Sequence, residues 1–281
     1  MAKILSGKIM SEELTQEQIK RVGELKQKGI TPGLAVVLVG EDPASQIYVR
    51  NKGIACESIG IYSRTLQLDK AISQADLIRV IDKLNADTKI HGILIQSPLP
   101  GHLNEHQILS RILPEKDVDG FHITNAGKLF TSQDSVIACT PKGIMYMLKN
   151  GGVELSGKEA VVIGRSNIVG KPVAMLLLNE DCTVTICHSR TKNLKEHCKR
   201  ADILVAAIGK PHFVTADMVK LGAAVIDVGI NRVDGKVVGD VDYEHVKDIA
   251  GFITPVPGGV GKLTISMLME NTLEAACNLA P

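Results

Sequence analysis

The sequence predicts an α/β protein built from two α/β units, and three observations lead to this fold class. Strand-like and helix-like patterns alternate along the chain, which favours parallel sheets covered by helices. The 281 residues are ample for two hydrophobic cores. In the second half, the β-branched run Val161–Ile163 ends in Gly164, and a polar turn and an apolar helix follow. A Rossmann-type βαβ unit begins in this way, so we expect the second unit to be a doubly wound parallel sheet.

The first unit follows from its hydrophobic periodicity. A long helix is expected over residues 9–28 and ends at Gly29. Its apolar residues near helical spacing are Leu14, Ile19, Val22 and Leu25. Asp42 is expected to cap the next helix, with Pro43 at the first helical position. The other predicted elements are strands Leu34–Val39, Ile61–Leu66 and Gly92–Ile95 and helices over 73–85 and 104–112.

The second unit begins after a stretch, residues 121–139, that has no clear periodicity and is predicted to be irregular. Thr140 and Pro141 are expected to start a short helix over 141–149. The predicted strands are 160–164, 183–187, 203–206 and 224–228. A glycine- and proline-rich loop, Thr254–Gly261, precedes a final amphipathic helix over 264–278.

Composition excludes several classes of partner. The net charge of +1 argues against nucleic acid and anionic membranes, and no apolar run is long enough for a membrane span. The first residues do not resemble a signal peptide. None of the six cysteines forms Cys-x-x-Cys or pairs with histidine at a zinc spacing. We therefore expect buried cysteines in a reducing, cytoplasmic environment.

The glycine turn is the first candidate site. Gly164 permits a tight turn, Gly170 allows close packing of the helix, and the free N–H groups of that helix favour a pyrophosphate. Ser166 stands where the dinucleotide fingerprint has its second glycine, beside Arg165. The pattern also fits a strand-to-helix connection that binds nothing.

The expected cofactor is NADP rather than NAD. NAD-binding units carry a carboxylate about 20 residues after the glycine turn, for the ribose hydroxyls. This chain has Ser189 and Arg190 there, and a second arginine, Arg165, in the turn. Hydroxyl and guanidinium groups suit a 2′-phosphate. The alternative is that both arginines are ordinary solvated surface charges.

Four polar residues of the first unit are candidates for chemistry. Tyr48 and Lys52 are four residues apart on one helix, so they share a face and can form an acid–base pair. Gln96 follows a strand whose carboxyl end should line a ligand crevice. Asp119 could accept hydrogen bonds from an amino-heterocycle. The alternatives are an accidental Tyr–Lys spacing, a turn glutamine and a solvated turn aspartate.

Two further motifs fail on inspection. Around Lys262 the sequence faintly resembles a P-loop, but Val256 occupies the first glycine position and Leu263 replaces the hydroxyl residue. His102 and His106 are four residues apart, but Glu105 does not occupy the zincin position. No metal site is expected.

Taken together, these motifs resemble the bifunctional methylenetetrahydrofolate dehydrogenase/methenyltetrahydrofolate cyclohydrolase family over nearly the whole chain. The matching blocks are Val39–Ser45 with Tyr48 and Lys52, Gly92–Gln96 with Pro98–Pro100, Pro114–Gly120, Gly164–Gly170, Asp227–Asn231, Gly239–Val241 and Thr254–Gly261.

The resemblance implies two α/β domains around a cleft. Residues 1–139 would form a folate-binding catalytic domain that the C-terminal helix 264–281 completes, and residues 140–263 an NADP-binding Rossmann-type domain. The implied activity is oxidation of 5,10-methylenetetrahydrofolate with NADP⁺, then hydrolysis of the methenyl product to 10-formyltetrahydrofolate. Members are usually homodimers, and their product serves purine biosynthesis.

The resemblance also implies roles for single residues. Lys52 would be the catalytic lysine, assisted by Tyr48 and tuned by Gln96, and Asp119 would hold the pterin. The residues implied to bind the folate are Tyr48, Lys52, Gln96, Asp119, Pro257 and Gly258. The residues implied to bind NADP are Gly164, Arg165, Ser166, Ser189, Arg190 and Ile230.

The sequence departs from the family pattern at two places. Lys262 and Leu263 stand where the family usually has Pro-Met, and Ser97 replaces the leucine that usually follows the glutamine. Two other functions fit parts of the sequence. Another NADP-dependent reductase would share the second unit only, and a non-catalytic folate- or nucleotide-binding module would bind without turnover.

Overall fold

The computed structural model describes residues 1–279, which divide into two compact units. The three-stranded unit comprises Glu13–Cys139 and the chain from Ile265 on, and the six-stranded unit comprises Met1–Glu12 and Thr140–Thr264. The first and last helices, α1 (Gly7–Gln27) and α10 (Val260–Leu279), each contribute residues to both units.

The other elements have the following bounds. The helices are α2 Pro43–Ile59, α3 Gln74–Ala86, α4 Glu105–Leu109, α5 Ile123–Phe130, α6 Cys139–Gly151, α7 Gly170–Asn179, α8 Leu194–Arg200 and α9 Tyr243–Val246. The strands are β1 Lys3–Ile4, β2 Gly33–Val39, β3 Tyr62–Leu68, β4 Gly92–Ile95, β5 Glu159–Ile163, β6 Thr183–Cys187, β7 Ile203–Ala206, β8 Ala224–Asp227, β9 Asn231–Val233, β10 Lys236–Val238 and β11 Phe252–Ile253. Two short 3₁₀ helices cover Pro114–Lys116 and Ala216–Met218.

The smaller sheet has the strand order β3-β2-β4, and both pairings are parallel. All seven residues of the central strand β2 are buried, as a near-continuous aliphatic run in a parallel sheet requires. The Gln96 N–H donates to the Val37 carbonyl at 2.8 Å, which carries the β4 pairing one residue beyond the strand. Gln96 therefore lies at the carboxyl end of this sheet.

The larger sheet has the order β1-β11-β8-β7-β5-β6, and every pair in it is parallel. From β5 the chain moves outward to β6 and then returns to β7 on the other side. The predicted doubly wound sheet is therefore confirmed, with its strand order reversing at β5. Ligands of such sheets bind outside the carboxyl ends of the strands at this reversal.

The chain start belongs to a different unit from the one expected. We assigned residues 1–12 to the first domain, but β1 pairs in parallel with β11 and becomes an edge strand of the six-stranded sheet. Both strands have only two residues, too few for any periodicity. The last helix also begins earlier than expected, at Val260 rather than at 264.

The prediction that residues 121–139 are irregular is wrong over α5. This helix has only eight residues, contains Gly127, and buries only Asn125 and Leu129. Its N-cap is His122, whose Nδ1 accepts the Thr124 N–H at 3.1 Å, so none of the usual capping residues marks its start.

The six cysteines form no disulfide bonds, and five of them are buried as expected. Cys277 is exposed on α10, which contradicts the expectation for that residue. Over residues 1–279, the helices lack the combination of length and hydropathy that a membrane span needs.

Candidate active site

Helix α2 presents Lys52 from a well-capped start. The Asp42 carboxylate accepts the Ser45 N–H at 2.8 Å, and Pro43 opens the helix, as predicted. Gly60 ends it in a left-handed conformation with φ 86°. Between these fixed ends, Tyr48 and Lys52 lie one turn apart.

Lys52 and Gln96 are in direct contact in the three-stranded unit. The Lys52 Nζ donates to Gln96 Oε1 at 2.9 Å. The Gln96 amide nitrogen donates in turn to the Ser97 carbonyl at 2.8 Å. Because the nitrogen is occupied in this way, the amide oxygen is the atom turned toward the ammonium group.

Asp119 shares the electrostatic environment of Lys52. Burial raises the pKa of Asp119 to about 6; the Lys52 charge opposes this rise, and the Asp117 charge adds to it. Burial also lowers the pKa of Lys52, while Asp119 opposes that change. The two pKa values move toward each other, so both groups exchange protons more readily near neutral pH than free side chains would.

The backbone beside Asp119 is fixed by Asn271, a buried residue of α10. The Asn271 Nδ2 donates to the Val118 carbonyl at 2.8 Å and to the Ile137 carbonyl at 2.9 Å. Gly120 is left-handed with φ 73°, and a Cβ there would overlap the backbone of Ala138. The sequence analysis missed Asn271, although a polar residue on the buried stripe of an amphipathic helix is a usable signal.

The remaining candidates of this unit are placed differently. Tyr48 is 56% exposed, and its phenol forms no hydrogen bond to the rest of residues 1–279. The structure therefore puts Tyr48 beside Lys52 on the helix without joining them. At the departure from the family pattern, the Ser97 hydroxyl donates to Glu105, the first residue of α4.

The glycine turn has the geometry that its sequence predicts. Gly164 has φ 126°, and a Cβ there would overlap the Ala207 carbonyl, while a Cβ at Gly170 would overlap the Gly164 carbonyl. The Ser166 hydroxyl accepts the N–H groups of Val169 at 3.1 Å and Gly170 at 3.2 Å. The serine that replaces the second fingerprint glycine thus accepts two N–H groups at the start of α7, whose N-cap residue is Val169.

The turn after β6 displays the two residues expected near a 2′-phosphate. The His188 N–H donates to the Thr191 hydroxyl at 2.8 Å, and the Arg190 N–H donates to His188 Nδ1 at 3.1 Å. These bonds close the turn and leave the side chains of Ser189 and Arg190 exposed. Arg165 is exposed as well.

The other residues implied by the resemblance lie in loops of the six-stranded unit. Ile230 follows β8 and is 65% exposed. Pro257 is exposed, and the carbonyl of Gly258, which has φ 104°, accepts the Lys8 N–H at 3.1 Å. Lys262 lies in the first turn of α10, where its N–H donates to the Gly259 carbonyl at 3.1 Å.

A pair of buried carboxylates, Asp227 and Asp240, organises these loops and was not singled out from the sequence. Asp227 Oδ1 accepts the N–H groups of Gly229 at 3.0 Å and Asp240 at 2.8 Å, and Oδ2 accepts that of Val241 at 2.9 Å. Burial raises the pKa of Asp227 to about 6 in spite of these three donors. The only signal was an aspartate at a strand end, beside glycines.

Metal ligation finds no support in the geometry. His102 Nε2 is paired with the Ile72 carbonyl at 3.0 Å. Within residues 1–279, no group of three or more His, Cys, Asp or Glu side chains could hold a metal ion.

Both units match the domains of one family. The catalytic domain of tetrahydrofolate dehydrogenase/cyclohydrolase matches residues 5–119. The NAD(P)-binding domain of the same family matches residues 138–280. Both domains of the family are therefore present. The two alternative functions, a different NADP-dependent reductase and a non-catalytic binding module, are not supported.

Full-length relatives give the same result. The chain is 58% identical to the bifunctional protein FolD of Moorella thermoacetica over 276 residues, covering 98% of this chain and 99% of that one. The Bacillus subtilis FolD protein is 54% identical over 276 residues, covering 98% of each.

Two solved structures are similar over the whole chain. The Campylobacter jejuni FolD methylenetetrahydrofolate dehydrogenase/cyclohydrolase superposes with a TM-score of 0.97 at 48% identity and covers 99% of both chains. The Trypanosoma brucei FolD enzyme, solved with NADP cofactor and an inhibitor, has a TM-score of 0.92 at 39% identity and covers 99% of this chain and 98% of that one. The chain therefore belongs to the tetrahydrofolate dehydrogenase/cyclohydrolase family.

Proposed function

We propose that the chain oxidises 5,10-methylenetetrahydrofolate with NADP⁺ and then hydrolyses the methenyl product to 10-formyltetrahydrofolate. The observation that carries this proposal is the contact of Lys52 with Gln96 beside Asp119, with the pKa of the lysine lowered and that of the aspartate raised. Such a proton-exchanging cluster suits the hydrolytic half of the reaction.

In the proposed hydrolysis, Lys52 acts as the proton acceptor. Water adds to the methenyl carbon, one proton leaves through the Lys52 amine, and the bond from that carbon to N5 then breaks as N5 takes up the hydroxyl proton. Gln96 holds the amine by accepting its N–H. The lowered pKa increases the neutral fraction of Lys52 that this role needs.

The other residues of the three-stranded unit would bind the folate. The Asp119 carboxylate, once ionised, would accept N–H groups of the pterin, and the exposed Tyr48 ring would contact the substrate from the same face of α2. Pro257 and Gly258 of the six-stranded unit are proposed as further substrate contacts, on the resemblance alone.

The six-stranded unit would hold NADP rather than NAD. The donor set fits a phosphorylated ribose, because Ser189 and the guanidinium groups of Arg190 and Arg165 are exposed near or after strand ends without an adjacent carboxylate. Gly164 and Ser166 would lie at the pyrophosphate, and Ile230 would lie beside the cofactor through its backbone. Bound NADP⁺ supplies the hydride acceptor for the oxidation.

We further propose that the protein is a cytoplasmic homodimer with no nucleic-acid or membrane partner. The product of its reaction would serve purine biosynthesis. This proposal is supported by the family resemblance, by the absence of disulfide bonds among the six cysteines, and by the net charge of +1. Light scattering of the purified protein tests the dimer.

One assay decides the main proposal. The purified protein is mixed with 5,10-methylenetetrahydrofolate and either NADP⁺ or NAD⁺, and the rise in absorbance of the reduced cofactor is followed. Hydrolysis of 5,10-methenyltetrahydrofolate is measured separately. Turnover in both assays, faster with NADP⁺, is expected. Absence of either activity would refute the bifunctional assignment.

A further inference from the structure

The carboxylate of Asp240 is completely buried and accepts four hydrogen bonds. Its Oδ2 accepts the N–H groups of Ile208 at 2.7 Å and Gly209 at 2.9 Å. Its Oδ1 accepts the Lys210 N–H at 2.8 Å and the Asn231 Nδ2 at 3.0 Å. Four donors thus converge on one charged side chain, and three of them come from consecutive residues.

These donors follow two strands of the large sheet at its carboxyl end. Ile208–Lys210 lie in the loop after β7, and Asn231 is the first residue of β9, directly after the loop that follows β8. The β7 loop also reaches the glycine turn, because its first residue, Ala207, places a carbonyl where a Cβ of Gly164 would be. Asp240 therefore supports the loops that adjoin the proposed cofactor residues Gly164 and Ile230.

The loops are packed closely against the carboxylates of Asp240 and Asp227. A Cβ at Gly229 would overlap Asp240 Oδ1, and a Cβ at Gly239 would overlap Asp227 Oδ2. Backbone N–H groups that lose a buried acceptor cost more than a hydrogen bond ordinarily contributes. Without the carboxylate, the loops must move to find water for these groups.

We propose that Asp240 is a positioning residue for the cofactor: its carboxylate fixes the loops after β7 and β8 in the shape that binds NADP. It acts through backbone groups and touches neither the folate nor Lys52. This inference rests on the proposed function. It predicts that the two activities of one protein respond differently to a single substitution.

The test compares Asp240→Asn with a swapped pair and a matched control. In Asp240→Asn the new amide NH₂ faces N–H donors, so the loops lose acceptors without loss of volume. The double variant Asp240→Asn/Asn231→Asp returns an acceptor to the same cluster. Asp242→Asn removes a nearby carboxylate that forms an ion pair with His245 at 2.7 Å.

Three quantities are measured for each protein: NADP⁺ affinity by calorimetry, KM and kcat of the dehydrogenase, and hydrolysis of 5,10-methenyltetrahydrofolate. Asp240→Asn should weaken NADP⁺ binding and raise its KM by about tenfold or more. Hydrolysis should stay within about twofold, which also establishes that the variant is folded. The swapped pair should recover part of the affinity, and Asp242→Asn should match the wild type.

Unchanged NADP⁺ affinity in Asp240→Asn, or an equal loss of both activities in soluble protein, would overturn the proposal. If Asp240→Asn does not fold, Asn231→Ala removes one of the four bonds and should still raise the NADP⁺ KM by about threefold; no change would then overturn it. If the wild-type protein has neither activity, the proposed function is refuted. The NADP⁺ affinities of the wild type and Asp240→Asn, measured by calorimetry, would still test the role of Asp240.

Discussion

The two units of this chain prepare their proposed sites by different means. In the three-stranded unit, the functional groups are ionisable side chains whose pKa values burial has changed, Lys52 downward and Asp119 upward. In the six-stranded unit, the proposed contacts are exposed, and the buried part is backbone shaped by glycines and by Asp240. Substitutions in the first unit should therefore change turnover and pH dependence, and those in the second should change cofactor affinity.

The largest effect is expected for Lys52→Met, which keeps the apolar stem and removes the amine. Hydrolysis of 5,10-methenyltetrahydrofolate should fall by about 10²–10⁴-fold, the range typical of a lost acid–base group. NADP⁺ affinity, measured by calorimetry, should remain, because no part of the six-stranded unit changes. Lys83→Met, at an exposed position of α3, is the control. Near-normal hydrolysis in a folded Lys52→Met protein would remove Lys52 from the mechanism.

The second-largest effect, a change in cofactor preference, is expected for a substitution in the turn after β6. Ser189→Asp should repel the 2′-phosphate and offer an acceptor to the NAD ribose, so the preference for NADP⁺ should shrink by about tenfold or invert. Ser189→Ala separates loss of the hydroxyl from gain of the charge. Steady-state kinetics with both cofactors provide the measurement. A preference that is equal in wild type and Ser189→Asp would place the 2′-phosphate elsewhere.

The third prediction concerns the pH dependence of folate binding, which depends on ionisable side chains of the three-stranded unit. In the wild type, binding of tetrahydrofolate should weaken as pH falls through about 6, because the Asp119 carboxylate becomes protonated. The positive charge of Lys52 favours ionised Asp119, so Lys52→Met should raise the pKa of Asp119 further. Binding titrations from acid to neutral pH should then show weakening that begins at a higher pH. Identical pH profiles would mean that Asp119 does not bind the folate in its ionised form.

The smallest effect is expected at Lys262. The first turn of a helix tolerates proline, since its N–H groups have no partner four residues earlier in the helix. Lys262→Pro would lose one hydrogen bond, from the Lys262 N–H to the Gly259 carbonyl. Lys262→Pro should therefore keep dehydrogenase turnover within about tenfold, a barrier change near 1.4 kcal/mol. Lys262→Ala separates the effect of losing the charge from the effect of introducing the proline ring. ATP hydrolysis by the wild type that disappears in these variants would reveal a P-loop function after all.

The long regular elements were predictable because their signals are long. The buried strands β2, β5 and β7 follow from aliphatic runs of four or more residues. The two-residue strands β1 and β11 carry no periodicity, and their pairing depends on tertiary structure. Helix α1 was predicted correctly, but not every residue of its buried face was. Ile19, one of its apolar residues near helical spacing, is 40% exposed, whereas the polar Gln18 is buried and donates to the Ser266 carbonyl at 2.9 Å.

The candidate site was predictable in its residue types and less so in its connections. The positions of Lys52 and Gln96 are separated by 44 residues in sequence, so only the family resemblance suggested that they act together. Asp240 carries no local pattern that distinguishes it from a solvated loop aspartate. Three of its four donors are 30 to 32 residues away in sequence, and their convergence depends on how β7 and β8 lie side by side.

The division of α10 between the two units has a consequence for synthesis on the ribosome. The six-stranded unit has all its residues once Thr264 has been made, whereas the three-stranded unit still lacks the part of α10 that carries Asn271. The unit that contributes most of the first half of the chain is thus the last to be completed. Until then the Val118 and Ile137 carbonyls beside Asp119 lack their donor, so the lysine cluster reaches its final form only after Asn271 has been added to the chain.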